Sequence, residues 1–465
     1  MAKQDKPHGK LADHFGLAAY KFVCFILKIL DVRLVAIAGR VAGYIVWAVT
    51  PRRRRIVARN LRIVVSPTLR PNKLAPMVRR NIVRTIMNLA CSMKTGLMRD
   101  KEAARSIRME GAEEFERCGS GGHTVISCIP HAGNWEILAR IRPYFSRVPH
   151  FGSMYRRLSN PLLEDFVYQS RTRYGCKMYS KEDGIREVLK VARSGGLLGV
   201  LSDQFTREGV YVPYFGKVTG TTPLPALIYK RCKDKGHLFS VFTRNTALGK
   251  WEAVLGREIH LPEGCTSPAA ITLHVNLALE KCQNENILDG FWMHHRWKTT
   301  RELAPEMDEE TIAAIREHIR LPFRMIINMP AQQEAALEAE KATHMLAHCR
   351  PDAELTILCT EAQADYWRAR THIAHVLTTD GAVSIAKQFD AEEVYKNGPF
   401  DALFMFGDDA ELFKRLQPLF PLYVIGWEDH TLASKYNDRY RRQKGAIGHP
   451  SAAEYIRNLK GFHGI

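Results

Sequence analysis

Residues 124–136 read TVISCIPHAGNWE. Val125–Ile129 is a short apolar run, bounded by Gly121-Gly122 before it and Pro130 after it, which predicts a buried strand. Gly133 and Asn134 suit a turn, and Trp135–Ile141 reads as the start of a helix. Strand, turn and helix in that order are the building unit of an α/β sheet. A second apolar run, Leu197–Leu201, ends in Ser202-Asp203-Gln204. Polar site groups collect at the carboxyl ends of parallel strands, so both runs end where chemistry is expected.

His131 is then expected at a strand end, with Glu136 in the first helical turn. A neutral imidazole is a natural general base near pH 7 once its tautomer and orientation are fixed. Glu136, five residues on, is the expected orienter, because a carboxylate behind the ring does both jobs. The chain has 18 histidines, so the spacing alone decides nothing and the surrounding blocks must supply specificity.

The charge is divided unevenly. Residues 321–465 hold 16 Lys+Arg against 19 Asp+Glu, a net of −3, which leaves 51 against 30, a net of +21, in the first 320. The anionic partner is expected to meet the upstream part. The ten cysteines of the whole chain are scattered with no Cys-x-x-Cys, which argues against a zinc ribbon or a disulfide framework. His294 and His295 are adjacent, with no acid spaced to complete a zinc helix, and no phosphate-binding glycine loop occurs. No metal or cofactor is therefore expected.

Upstream lie two apolar runs, Phe22–Leu30 broken by Lys28 and Leu34–Val49 broken by Arg40. PRRRR at 51–55 follows directly, with Arg59 and Arg62 beyond it. A basic cluster beside an apolar helix attracts anionic headgroups and marks the cytoplasmic side. Residues 1–50 are therefore expected to be a membrane-associated helical segment, either spanning or lying along the interface. No zinc finger, helix-turn-helix or RNA-binding strand motif is present to favour nucleic acid.

The blocks between 120 and 300 resemble the lipid A late acyltransferases, the lauroyl and myristoyl transferases. HAGNWE at 131–136 is similar to that family's His-x-Gly-Asn-Trp-Glu block. Tyr155-Arg156, Asn160-Pro161, Arg171 and Gly175 resemble its second block, LSDQ at 201–204 its strand-end Asp-Gln, VPYFGKVTGTTPLPALIYK at 212–230 its Phe-Gly-x-x-x-x-Thr segment, and WMHHRWK at 292–298 its closing block. The resemblance implies an O-acyltransferase over residues 51–305, taking a fatty acyl chain from acyl carrier protein. The acceptor would be a hydroxyl of an anionic lipid A precursor at the cytoplasmic face of the cell inner membrane.

It also implies a site of His131 and Glu136 as catalytic residues, with Arg156, Asn160, Arg171, Asp203, Gln204 and Arg296 binding substrate. The guanidinium forks of Arg156 and Arg171 suit a phosphate or carboxylate. Trp292, Arg296 and Trp297 fit either a membrane-facing anchor or a place in the core. The competing acceptor is a lysophospholipid or another glycolipid, since the same base and anion site would serve both.

Beyond a charged linker at 306–321, runs at Arg324–Met329, Glu354–Cys359, Ile373–Thr378, Ala402–Phe406 and Leu422–Gly426 alternate with helical stretches. That alternation predicts a second, Rossmann-like α/β domain with a parallel sheet over 322–465. RPDAELTILC at 350–359, FDALFMF at 400–406 and the final HPSAAEYIRNLKGFHGI resemble the N-terminal half of family-9 glycosyltransferases, the heptosyltransferases. The family's Gly-Asp after the first strand is MPAQQ here, at 329–333. An accessory module without sugar transfer is therefore expected, with a bifunctional acyltransferase/glycosyltransferase as the alternative.

Overall fold

The expected strand forms over Thr124–Ile129 and is buried at every residue. The structure is a computed structural model that describes residues 10–158, 160–180, 184–298, 309–350, 352–381, 384–385, 387–388, 398–416, 421–441 and 450–455. Four helices open the chain: α1 (Lys10–Ile29), α2 (Val32–Val49), α3 (Pro51–Val64) and α4 (Pro71–Thr95). Asp31 accepts a hydrogen bond from the Arg33 amide and so caps α2, which is why the two apolar runs form separate helices.

The chain then alternates. Strands are β1 (Ile107–Glu110), β2 (Thr124–Ile129), β3 (Phe151–Tyr155), β4 (Lys177–Ser180), β5 (Gly196–Leu201), β6 (Val210–Tyr214), β7 (Lys217–Thr221), β8 (Gly236–Ala247) and β9 (Lys250–Glu258). Helices among them are α5 (Asp100–Ser106), α6 (Ala112–Ser120), α7 (Ile137–Arg140), α8 (Pro161–Thr172), α9 (Ile185–Ser194), α10 (Leu224–Cys232) and α11 (Pro268–Glu285).

Seven strands make one sheet in the order β1-β9-β8-β2-β5-β3-β4. Every pair in it is parallel except β8 with β9. The register of β2 on β5 sets Ile129 opposite Leu201, so the residues that follow both strands emerge side by side. One sheet face carries Val125, Ile129, Phe239 and Trp251 into a core shared with Val35 and Ala36 of α2, Met87 and Cys91 of α4, and Phe115 of α6. The second helix is thus part of the hydrophobic core.

The tail forms a second, wholly parallel sheet from β10 (Phe323–Asn328), β11 (Ala353–Cys359), β12 (His375–Thr378), β13 (Ala402–Met405), β14 (Tyr423–Trp427) and β15 (Asp438–Tyr440). Their spatial order, β12-β11-β10-β13-β14-β15, is the doubly wound order of a dinucleotide-binding sheet. Five of the six strands fall where the apolar runs placed them; β15 is short and carries no apolar run.

The chain divides into two compact units. The first holds residues 1–57, 75–209 and 221–296; the second holds 58–74, 210–220 and 297–465. The second unit is therefore larger than the expected 322–465. Asp401 explains the extra pieces. Its carboxylate accepts from Arg59 Nη2 at 2.5 Å, from Lys217 Nζ at 2.8 Å and from the Arg324 amide at 2.8 Å. All four residues are buried. Burial holds Lys217 below the usual lysine range, although Asp401 pulls the other way. A two-residue turn, Phe215-Gly216 with both φ positive, folds β6 back on β7 and presents Lys217. Trp297 is buried in the same unit, its indole N–H on the Tyr214 carbonyl.

Candidate active site

His131 sits one residue beyond Pro130 at the carboxyl end of β2, and Asp203 two residues beyond β5. Because the strands are neighbours, the two meet although 72 residues separate them. His131 Nδ1 lies 2.6 Å from Asp203 Oδ1, and the His131 amide donates to Oδ2 at 2.8 Å. Glu136, the expected orienter, is elsewhere. Its carboxylate takes Arg171 Nε at 3.0 Å and Nη2 at 2.6 Å in a two-pronged pair. The physical reason is geometric: the turn carries Glu136 away from the imidazole toward α8, which delivers Arg171. The carboxylate that fixes the ring is Asp203.

Burial pushes the Asp203 carboxyl up, but the His131 contacts and the nearby Arg296 charge outweigh it and hold the group below its ordinary range. It is therefore an anion at neutral pH, and an anion there selects the imidazole tautomer with its proton on Nδ1. Nε2 is left as the accepting nitrogen, with no protein partner among the described residues. For Arg171, burial works against the charge and Glu136 more than restores it.

Each remaining residue of the turn has a structural task. Gly133 has φ +58°, and a Cβ there would lie 2.7 Å from the Thr243 carbonyl oxygen. Asn134 is fully buried; its amide donates to Thr95 Oγ1 and its carbonyl accepts from Ser92 Oγ, which pins the turn to α4. Trp135 and Phe291 pack against the His131 ring.

A cleft of about 440 Å³ opens in front of His131, with Ser92, Arg140, Arg156, Arg171 and Tyr174 among its polar lining residues. Arg156 is exposed on it and has no partner among the described residues. A narrow apolar slot of about 90 Å³, lined by Phe151, Met178, Leu197, Gly199 and Leu255, shares Trp135, Glu136, Tyr155 and Arg171 with the cleft. The Glu136–Arg171 pair thus belongs to the wall that the two spaces share.

The other expected residues divide. Asn160 caps α8, accepting from the Leu162 and Leu163 amides, so its carbonyl is committed to the helix. Gln204 is half-buried beside Asp203. Arg296 is buried, donates to Thr221 Oγ1 at 2.6 Å and acts on Asp203 through its charge. Trp292 is buried with its indole N–H on the Ile287 carbonyl, a core residue and not a surface anchor. Ser92 and Arg140 were not legible as cleft residues; no local pattern marks them.

A family model of bacterial lipid A biosynthesis acyltransferases matches residues 2–299, which contain this whole arrangement. The chain belongs to that family. A lipid A biosynthesis acyltransferase of Haemophilus influenzae is 30% identical over 153 residues, 32% of this chain and 46% of the relative. The chain thus matches about half the length of that curated relative. A glycosyl transferase family 9 structure from Veillonella parvula is similar at 13% identity and a TM-score of 0.25, covering 30% of this chain and 41% of that one. A likeness at that level carries no functional implication. The resemblance of the sequence blocks to the acyltransferase family is borne out; the role of each residue is a matter of geometry.

Proposed function

We propose that the protein moves a fatty acyl chain from acyl carrier protein to a hydroxyl of a lipid A precursor, at the cytoplasmic face of the inner membrane. The carrying observation is a histidine, tied through Nδ1 to Asp203, facing a cleft that shares a wall with an apolar slot. His131 Nε2 takes the acceptor hydroxyl proton as its oxygen attacks the thioester carbonyl. The C–S bond breaks, the ester forms, and the imidazolium returns the proton to the leaving thiolate. Asp203 stabilises the imidazolium between the two steps.

Only part of the acyl chain enters the slot beside Glu136 and Arg171, since about 90 Å³ admits no more than a few methylenes. That pair holds α7 and α8 at the mouth and acts as a positioning pair, with no proton to move. Arg156, exposed on the cleft, takes an anionic group of the substrate. The net of +21 upstream of residue 321 supports two acidic substrates.

The test is to supply the purified full chain with acyl carrier protein thioester and either a lipid A precursor or a lysophospholipid, and to weigh the products by mass spectrometry. Ester formation on the lipid A precursor, lost in His131→Ala, is expected. Turnover of the lysophospholipid alone, or undiminished turnover by His131→Ala, would overturn the proposal.

A further inference from the structure

The first two helices carry an apolar surface left exposed among the described residues. On α1, Phe15, Phe22, Phe25 and Ile29 are each more than 60% exposed. On α2, Leu34, Val41, Ile45 and Val49 are each more than half exposed. A patch of this kind marks an interaction surface.

The opposite face of α2 is fixed to the protein. Val32, Val35, Ala36, Gly39 and Gly43 form its buried stripe. A Cβ on Gly39 would lie 2.9 Å from the Met87 Cα, and one on Gly43 2.7 Å from the Val83 Cα. The helix is therefore packed backbone to backbone on α4 at Gly39 and Gly43, one turn apart. Residues 32–49 have a mean hydropathy of 1.6, enough to cross a membrane, yet 28% of them are buried inside the protein. A helix that crossed the bilayer would have to leave α4 and strip Val35 and Ala36 from the core.

The charges agree. At 100° per residue, Lys21 and Lys28 run along one border of the apolar face of α1, and Arg33 and Arg40 along one border of that of α2. All four are exposed, as is Arg52 just beyond. Cations beside an outward apolar face suit a helix lying in the headgroup layer, with long side chains reaching the phosphates. One helix also touches the site: Tyr20 of α1 lines the His131 cleft and packs edge-on against Phe166 of α8.

We infer that α1 and α2 lie together in the plane of an anionic bilayer, neither spanning it, and that the cleft opens beside α1 to the headgroup layer. The acceptor then reaches His131 from the membrane without leaving it. The embedding stands on its own geometry; only the identity of what enters the cleft rests on the acyltransferase reading.

The test measures depth, not activity, so its failure is separate from a failure of that reading. Single nitroxide labels are placed at Phe22→Cys, Leu34→Cys, Val41→Cys and Ile45→Cys in the full chain, with Cys118, Cys265 and Cys349 replaced by serine. Oxygen and nickel-chelate accessibility is read with and without phosphatidylethanolamine/phosphatidylglycerol vesicles. An in-plane pair puts all four labels in the acyl region at depths within about 5 Å of one another. A spanning α2 separates Leu34 from Ile45 by roughly 16 Å along the membrane normal, at 1.5 Å per residue, and that gradient would overturn the inference. So would labels whose oxygen accessibility is unchanged by vesicles, which would mean that the face does not enter the bilayer. Phe22→Asp with Ile37→Asp, both at exposed positions, is expected to weaken vesicle binding about tenfold or more, with the circular dichroism spectrum unchanged.

Discussion

Replacing Asp203 with asparagine changes one atom and inverts the imidazole. The carboxylate now accepts twice, from the His131 amide at 2.8 Å and from Nδ1 at 2.6 Å. An asparagine that keeps its oxygen on the amide must turn its NH₂ toward Nδ1. The ring then carries its proton on Nε2, and the nitrogen facing the cleft becomes a donor. A base with the wrong tautomer is no base. General-base catalysis is worth about 10²–10⁴ in rate, or roughly 3–5.5 kcal/mol of barrier. The same exchange in a hydrolase triad costs about 10⁴. Asp203→Asn is therefore expected to lose on the order of 10³–10⁴ in kcat with KM little changed.

The contrast is Glu136→Gln. It leaves the His131–Asp203 contact untouched and weakens only the pair with Arg171, so its effect is expected mainly in KM, within about tenfold. Steady-state acyl transfer with product detection by mass spectrometry reads both variants. Asp203→Asn combined with His131→Ala should be no slower than His131→Ala alone, because the two act as a unit. Near-normal kcat in Asp203→Asn beside a dead Glu136→Gln would refute the geometry and restore Glu136 as the orienter.

Acid tests the same contact through stability. The folded Asp203 carboxyl is held below its unfolded value of about 3.9, so its contribution is full above that value and lost as pH falls through the folded one; an acid titration of the melting temperature should show a shallower fall in Asp203→Asn than in the wild type. Gly199→Ala places a methyl 3.0 Å from Ser153 Oγ and 3.1 Å from Ile129 Cδ1, in the wall of the slot, and should shift the products to shorter acyl chains by mass spectrometry. Gly133→Ala forces a side chain into the left-handed region and against the Thr243 carbonyl, costing at least about 1–2 kcal/mol in urea unfolding with a matching loss of turnover. Asp401→Ala leaves Arg59 and Lys217 buried without their anion and should cost about 3–5 kcal/mol; a melting temperature within a degree or two of wild type would contradict that assignment.

Local pattern carries a reader a certain distance along this chain. The strand before His131 was legible because Pro130 and Gly133-Asn134 punctuate an apolar run. So were five strands of the second sheet, whose buried residues are near-continuous in sequence as parallel strands require. The partner of His131 was not, because pairing Asp203 with it depends on β5 lying next to β2, a fact of strand order. Glu136 was the natural candidate only by nearness in sequence. Its real partner, Arg171, is 35 residues away on another helix. A signal was present nonetheless: two apolar runs each end in a polar site residue, and strand ends of one parallel sheet converge.

The second unit shows a different limit. Its sheet reads as an appended module, with a linker before it and the opposite net charge. Yet Asp401, one residue before β13, is neutralised by Arg59 from α3 and Lys217 from β7. Burying these ions is costly, and the cost is offset only while all partners are in place. Arg59 also donates to the Phe400 carbonyl and Lys217 to the Pro322 carbonyl, so each cation fastens its own segment at two points. A cut after residue 320 would keep both cations and remove their anion and those carbonyls. Residues 58–74 and 210–220 belong physically to the unit that such a cut deletes. The fragment 1–320 would therefore expose the surfaces of those segments and carry uncompensated charge in them. Separability in sequence does not confer separability in folding, because what joins the pieces is a buried ion cluster whose extreme members lie 342 residues apart and announce themselves in no local pattern.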